Sequence, residues 1–336
     1  MSSMSRPVLV LALIALSACS SQAATGPSPS GRPPTACRLP LTQWQETGQS
    51  GGRYASSFLT YPSGNVTADA QGTFTWDDAH DAHGQYRSAI APYLYGPGST
   101  SYDRAASRWV PVGANWVEPD GSRYAYAEPF EGKLHLVTVR TGQDRIIPLP
   151  ARQPYNVLRF LPEGIYLTLS WEGQSGGLFL VDLKEFRFAT ISDNLPVVAI
   201  QPGIAWLADV DDNDSAPVQS HYTGGSLPDE ILSRDLKTGT TTTWFYRQGK
   251  QVEWVGIDRG GHPIVLVSSE EGGPTESWRV GAASTATKIP VGSSLGTWMD
   301  NRGIWFANET GIFLLTTSDV VEHVSAQRGQ PAGDCL

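Results

Sequence analysis

Residues 116–149 read WVEPDGSRYAYAEPFEGKLHLVTVRTGQDRIIPL, and the fold follows from this stretch. Pro119, Asp120 and Gly121 spell a tight turn, because proline presets φ at one corner and glycine accepts the positive φ needed at the next. After the turn, residues 123–127 set Tyr124 and Tyr126 on one face of a strand and Ala125 and Ala127 on the other, an alternation that lets sheets stack closely. Residues 134–139 are apolar at nearly every position, which predicts a strand buried on both faces. A second turn at Thr141-Gly142 leads into residues 145–149. The reading is a four-stranded antiparallel meander with both faces needing neighbours, and that is what a β-propeller blade requires.

Weaker copies recur along the chain. A Gly turn precedes an apolar strand at residues 161–164, 201–203, 259–261 and 301–303, with successive glycine spacings from Gly121 of 43, 39, 58 and 42 residues. The spacing of 58 marks an insertion. Third strands follow at 177–182, 231–235, 276–280 and 311–315. The first unit is the least regular, with strands expected at 64–69 and 73–77 around a turn at Gln71-Gly72, then at 100–103 and 108–112. Six units spread over residues 37–331 give about 49 residues each, within the range of propeller repeats. The expectation is an all-β, six-bladed propeller of four-stranded blades, in one domain over residues 37–336.

Residues 116–127, with Pro119-Asp120-Gly121 followed by Tyr124-Ala125-Tyr126-Ala127, resemble the Pro-Asp-Gly repeat of TolB-like β-propellers, and residues 134–142 resemble the strand and turn that follow it. The other five units keep the Gly turn and lose the Pro-Asp-Gly. The resemblance implies the six-bladed ring. Such propellers occur as exported scaffolds and as modules of enzymes, so function has to come from the site.

The N-terminus carries Arg6, an apolar run over residues 8–16 and then Leu16-Ser17-Ala18-Cys19. The run is too short to span a bilayer, which takes ~20 apolar residues, and reads as an export signal. The tetrad resembles the bacterial lipobox and implies lipidation of Cys19, with residues 1–19 as the signal and the protein held at the outer face of the cytoplasmic membrane or in the cell envelope. The alternative is an ordinary signal cut near Ala24. Residues 20–36, rich in Ser, Gly and Pro, read as a solvated tether of roughly 21 to 25 Å as a coil. Cys37 opens the folded body and Cys335 is the penultimate residue. A ring brings its ends together and an exported protein meets an oxidising compartment, so the two are expected to form a disulfide rather than remain free thiols.

Charged residues are 17% of the chain, the net charge is -9, and Gly 35, Pro 24 and Trp 11 suit aromatic-packed strands joined by turns. The negative charge, with no basic run, argues against nucleic acid as a partner and against membrane contact other than through a lipid anchor. Gly-x-Ser-x-Gly occurs around Ser50, Ser175 and Ser294, where hydrolase chemistry would need a strand-to-helix turn. The pattern shows no helix, so these are expected as loops, and no catalytic residue is assigned.

Residues 77–83 gather Asp77, His80, Asp81 and His83, and residues 209–214 present Asp209, Asp211 and Asn213 at alternate positions. Carboxylates suit calcium and imidazoles suit transition metals, so a divalent cation is an alternative to the reading without a cofactor. The long second-to-third-strand connections are expected on one end of the ring. There they would bring His80, Asp81, His83 and Tyr86 near Asp211, Asp212, His221 and Tyr222, with Trp171 between, as an acidic, aromatic rim for a cation, a sugar or a basic segment. The functional expectation is a monomeric, membrane-anchored binding or scaffold module for a protein or glycan. The rivals are a glycan-acting hydrolase or lyase using acidic loop residues, and a purely structural envelope protein.

Overall fold

The computed structural model describes residues 35–46, 52–74, 100–128, 130–171, 174–211, 217–221, 225–281, 285–291 and 296–336. Residues 36–336 form one compact unit. Its described residues are nearly all strand and turn, with a single 3-10 turn at Ala114–Trp116.

Six sheets follow one another as blades. Blades 3 to 6 each take four consecutive strands in meander order: Tyr155–Leu161, Gly164–Trp171, Gln174–Asp182 and Arg187–Ser192; Val197–Gln201, Ile204–Asp209, Glu230–Asp235 and Thr241–Tyr246; Gln251–Ile257, Pro263–Ser268, Thr275–Val280 and Ala286–Ile289; Gly296–Asp300, Gly303–Asn308, Gly311–Thr316 and Val321–Ser325. Blade 2 has Arg123–Glu128, Lys133–Thr138 and Asp144–Pro148, and the bridge from Val117 to Tyr124 supplies its short first position. Blade 1 joins the two chain ends: the C-terminal Gln330–Pro331 pairs with Cys37–Glu46, followed outward by Gly52–Tyr61 and Asn65–Phe74. The ring is therefore closed by backbone hydrogen bonds. Arg38 and Leu336 exchange both of theirs, at 3.2 and 3.0 Å, and Ala332 donates to the Pro40 carbonyl at 2.9 Å.

Each gap between blades holds its own apolar cluster, which is why the blade faces read as apolar in sequence. Ile165 and Leu167 meet Leu134 and Leu136 between blades 2 and 3. Trp206 and Phe245 meet Val265 and Val267 between blades 4 and 5. Leu39 and Leu41 meet Trp305 and Leu314 where blade 6 meets blade 1.

The expected first unit is corrected. Residues 101–103 and 108–110 form a separate two-stranded sheet, and three long strands before it build blade 1. Gln71-Gly72 lies inside a strand, where the Ser56 hydroxyl bonds the Gly72 carbonyl and Trp109 packs where a Cβ on Gly72 would sit. The separate hairpin wedges between blades 1 and 2, with Trp109 against Phe58 on one side and Val110 and Val112 against Val117 on the other. The sequence pattern could not assign it, because a hairpin and half a blade share the same period of two.

The Gly turns recur where expected, between first and second strands, and two of them share a device. In blade 4 Gln201 Oε1 accepts the Trp206 indole N–H at 3.0 Å, and in blade 6 Asp300 Oδ2 accepts that of Trp305 at 2.9 Å. The polar residue at the end of the first strand thus satisfies an indole that points into the core. Gly121 has φ 72° and packs so closely on the Asp103–Ala106 turn that a Cβ would strike Asp103, which requires glycine on both counts. Cys37 and Cys335 are joined by the expected disulfide, with Cα atoms 5.5 Å apart.

Candidate functional site

Alternating strand direction sends the first-to-second-strand turns to one end of the ring and the second-to-third connections to the other. At the turn end a cleft of about 660 Å³ is lined by Asp103 and Arg104 of the small hairpin, Asn115 and Glu118 before blade 2, Arg159 of blade 3, Trp298 of blade 6 and Asp334. First strands of blades 3 and 6 contribute to it. A second recess of about 310 Å³ shares Arg104 and Asp334 with it and adds Asp258 and Arg259 of blade 5 and Asp300 and Asn301 of blade 6. The two form one mouth.

The mouth holds both signs of charge, but they are committed unequally. Asp103 Oδ1 accepts the Ala106 N–H at 2.6 Å inside its turn. Glu118 is forked by Arg123, with Nε and Nη2 at 2.7 and 2.6 Å, a bond that holds the Arg123 guanidinium above its ordinary pKa. Asp258 meets Arg279 Nε at 3.1 Å and His262 Nδ1 at 3.2 Å. Asp300 takes the Arg302 and Cys335 backbone N–H groups at 2.8 and 3.0 Å besides the Trp305 indole. Asp334 accepts the Trp298 indole N–H at 2.9 Å.

The arginines are different. Arg104, Arg159 and Arg259 make no ion pair among the described residues. Among the described residues the hydrogen bond of Arg159 goes to the Ile200 carbonyl, from Nη1 at 3.4 Å, and burial pulls its guanidinium below the ordinary value. A desolvated cation without a counter-ion favours any ligand that brings an acceptor anion. The sequence offered no motif for this site, because its residues come from widely separated parts of the chain.

Of the rim expected from the long connections, His80, Asp81, His83, Tyr86, Asp212 and Tyr222 lie outside the described residues, as do Asp77 and Asn213; Asn65–Phe74 is the outermost strand of blade 1, so the expected second-to-third-strand connection of the first unit is corrected. The Trp171 backbone ends the second strand of blade 3 and pairs with Gln174 of the third. Ser175, expected in a loop, lies on a strand; Ser50 and Ser294 are outside the described residues. The 58-residue spacing is explained by the connection between Asp209 and Glu230 of blade 4. Its base is stapled by fully buried Asp229, whose backbone N–H donates to the Asp209 carbonyl at 3.0 Å and whose Oδ1 accepts the Asp211 N–H at 2.8 Å. Within it, Ser220 and His221 reach Glu271 of blade 5, which accepts the Ser220 hydroxyl at 3.1 Å and the His221 backbone N–H. Burial, then the charges of Asp211, Asp209 and Asp229, raise the Glu230 carboxyl above its ordinary value. Among the described residues no group of three or more His, Cys, Asp or Glu side chains is arranged to hold a metal ion.

No protein-family model and no curated protein matches this chain. Solved structures similar to it include a putative TolB from Agrobacterium tumefaciens, at 15% identity over 65% of this chain and 84% of that one, with a TM-score of 0.44. TolB from Acinetobacter baumannii shares 10% identity over 88% and 83% of the two chains, TM-score 0.42. An oligogalacturonate lyase in complex with manganese shares 9% over 86% and 85%, TM-score 0.44. The six-bladed ring itself rests on the strand pairing described above, and nothing about ligand or activity passes from these structures to this chain.

Proposed function

We propose that this protein is an exported binding module that receives an anionic group of a protein or glycan, of the carboxylate class, in the mouth at the turn end of the ring, without turning it over. The observation that carries this reading is Arg159, desolvated and without an ion pair among the described residues, in a mouth whose carboxylates are each held by donors. Because those carboxylates are engaged, none stands as an uncommitted acid or base, and the mouth is suited to holding rather than to proton transfer. The net charge of -9 does not oppose this, since salt screens it beyond about 8 Å while Arg159 acts at contact.

The module works as a monomer, reaches the membrane only through lipid on Cys19, and has no nucleic-acid partner. Support comes from the Leu16-Ser17-Ala18-Cys19 tetrad and from the Cys37–Cys335 disulfide, which suits an oxidising compartment. The site is tested by titration calorimetry with a uronic-acid oligosaccharide and with an acidic peptide. A charge-assisted hydrogen bond contributes roughly 1.5–3 kcal/mol, so Arg159→Gln should weaken binding about 10- to 150-fold. No binding of either probe, or equal affinity in the variant, defeats the reading.

A further inference from the structure

Blade 5 carries a second cleft at the opposite end of its sheet. Lys250 stands just before its first strand, Ser268 ends its second, Thr275 and Ser277 open its third, and Ile289 ends its fourth. All of them line a cavity of about 620 Å³, within the ~300–1,000 Å³ typical of small-molecule sites. The pairings Ser268↔Thr275 and Leu266↔Ser277 put these hydroxyls on one face of the sheet, the face from which Ile264 and Ile289 pack against Ile304 and Phe306 of blade 6. The cleft therefore opens between two blades.

Two observations set it apart from an ordinary crevice. Ser277 is 1% exposed and its hydroxyl has no hydrogen-bond partner among the described residues, and neither has the buried Oγ1 of Thr275. Native structures rarely leave such groups unmet, since each costs about 1–3 kcal/mol. The nearby charges are also unequal. Lys288 Nζ is neutralised by Glu276 Oε1 at 2.7 Å, whereas Lys250 Nζ bonds only the Ser269 hydroxyl, at 2.8 Å, and makes no ion pair among the described residues. Among the described residues, then, one cation without an ion pair and two hydroxyls without a partner belong to residues that line the same cavity.

We propose that this cleft binds an oxyanion of the phosphate or sulfate class, held by Lys250 and by the hydroxyls of Thr275 and Ser277. The spacing supports an anion over a single water. Residues two apart on one face of a strand are separated by roughly 7 Å, and a water bridging two hydroxyls by bonds of ~2.7 Å reaches at most about 5.5 Å. A tetrahedral anion adds its own oxygen-to-oxygen width and accepts one bond from each side. Lys supplies the charge as a point donor, a common arrangement for phosphate.

The test is thermal unfolding of the full chain with inorganic phosphate, sulfate, glucose 6-phosphate and, as the control for ionic strength, chloride. At 10 mM or below, general salting effects are small, and phosphate or sulfate should give a saturable rise in Tm that chloride lacks. Comparing midpoints for free phosphate and for its sugar ester tells which form the cleft prefers. Lys250→Ala should abolish the rise. Ser277→Ala should raise Tm without ligand, because it removes an unmet hydroxyl, and should weaken the ligand response by 10-fold or more. Thr275→Val provides the same comparison at a second position. An unchanged response in all three variants, a response equal to chloride, or loss of the response in Arg159→Gln, which would assign the anion to the mouth, overturns the proposal.

Discussion

Asp300→Ala isolates the link between a turn, the aromatic core and ring closure. The Asp300 side chain is 8% exposed and accepts three donors, two of which are buried: the Trp305 indole N–H at 2.9 Å and the Cys335 backbone N–H at 3.0 Å. Alanine leaves both without an acceptor, because Trp305 is 0% exposed and the Cys335 N–H faces the same carboxylate from the closing segment. At about 1–3 kcal/mol for each buried donor left unmet, the loss is ~2–6 kcal/mol. Gln201→Ala at the equivalent turn of blade 4 deprives only the Trp206 indole, and should cost ~1–3 kcal/mol. Asp300→Asn keeps an acceptor oxygen at the Oδ2 position used by both buried donors and loses only the acceptor of the Arg302 N–H, so it should cost less than Asp300→Ala. Urea unfolding of the oxidised protein, monitored by tryptophan fluorescence and by circular dichroism to check that the transitions coincide, gives the three values. If Asp300→Ala costs no more than Gln201→Ala, the carboxylate does not couple the turn to the C-terminal segment and the reasoning fails.

Three further outcomes follow from the same structure. Replacing Cys37 and Cys335 by Ser frees a loop with a sequence separation of 298, so stability to urea should drop by up to ~5–6 kcal/mol on the chain-entropy estimate, and an unchanged midpoint would show that strand pairing alone closes the ring. Glu230 is an acid whose folded pKa is raised by burial and by Asp211, Asp209 and Asp229, so its ionised form opposes folding at neutral pH and the opposition fades as pH falls through the raised value toward the unfolded ~4.3. Glu230→Gln should therefore raise Tm at pH 7 and change it little near pH 4; a loss of Tm at pH 7 contradicts the sign. Finally, Cys19→Ala should move the protein from the membrane fraction to the soluble exported fraction, and unchanged partition into detergent refutes lipidation at that residue.

The repeat was legible because it rests on local chemistry. Pro119-Asp120-Gly121 can hardly be anything but a turn, residues 134–139 are apolar on both faces, and the glycines at 164, 203, 261 and 303 recur at near-blade spacing. The same locality made residues 64–112 misleading. Their strands are real, yet periodicity of two is silent about which strands pair, and the pairing went to the chain ends instead. The disulfide was legible for a topological reason, since a closed ring must return its last residues to its first.

The sites were a different matter. Arg104, Arg159, Arg259 and Asp334 are scattered over most of the chain and share no motif, and the ring, the small hairpin and the C-terminal segment bring them to two adjoining recesses. Even their identities would not have shown what they can do. Whether a carboxylate is free or already held, and whether a hydroxyl such as that of Ser277 finds a partner, depends on distances of a few ångströms between blades. Turn type and strand period are properties of neighbouring residues, so the sequence alone determined them. The unspent charge and unmet hydroxyls arise from packing between distant segments, and only the closed ring decided where they lie.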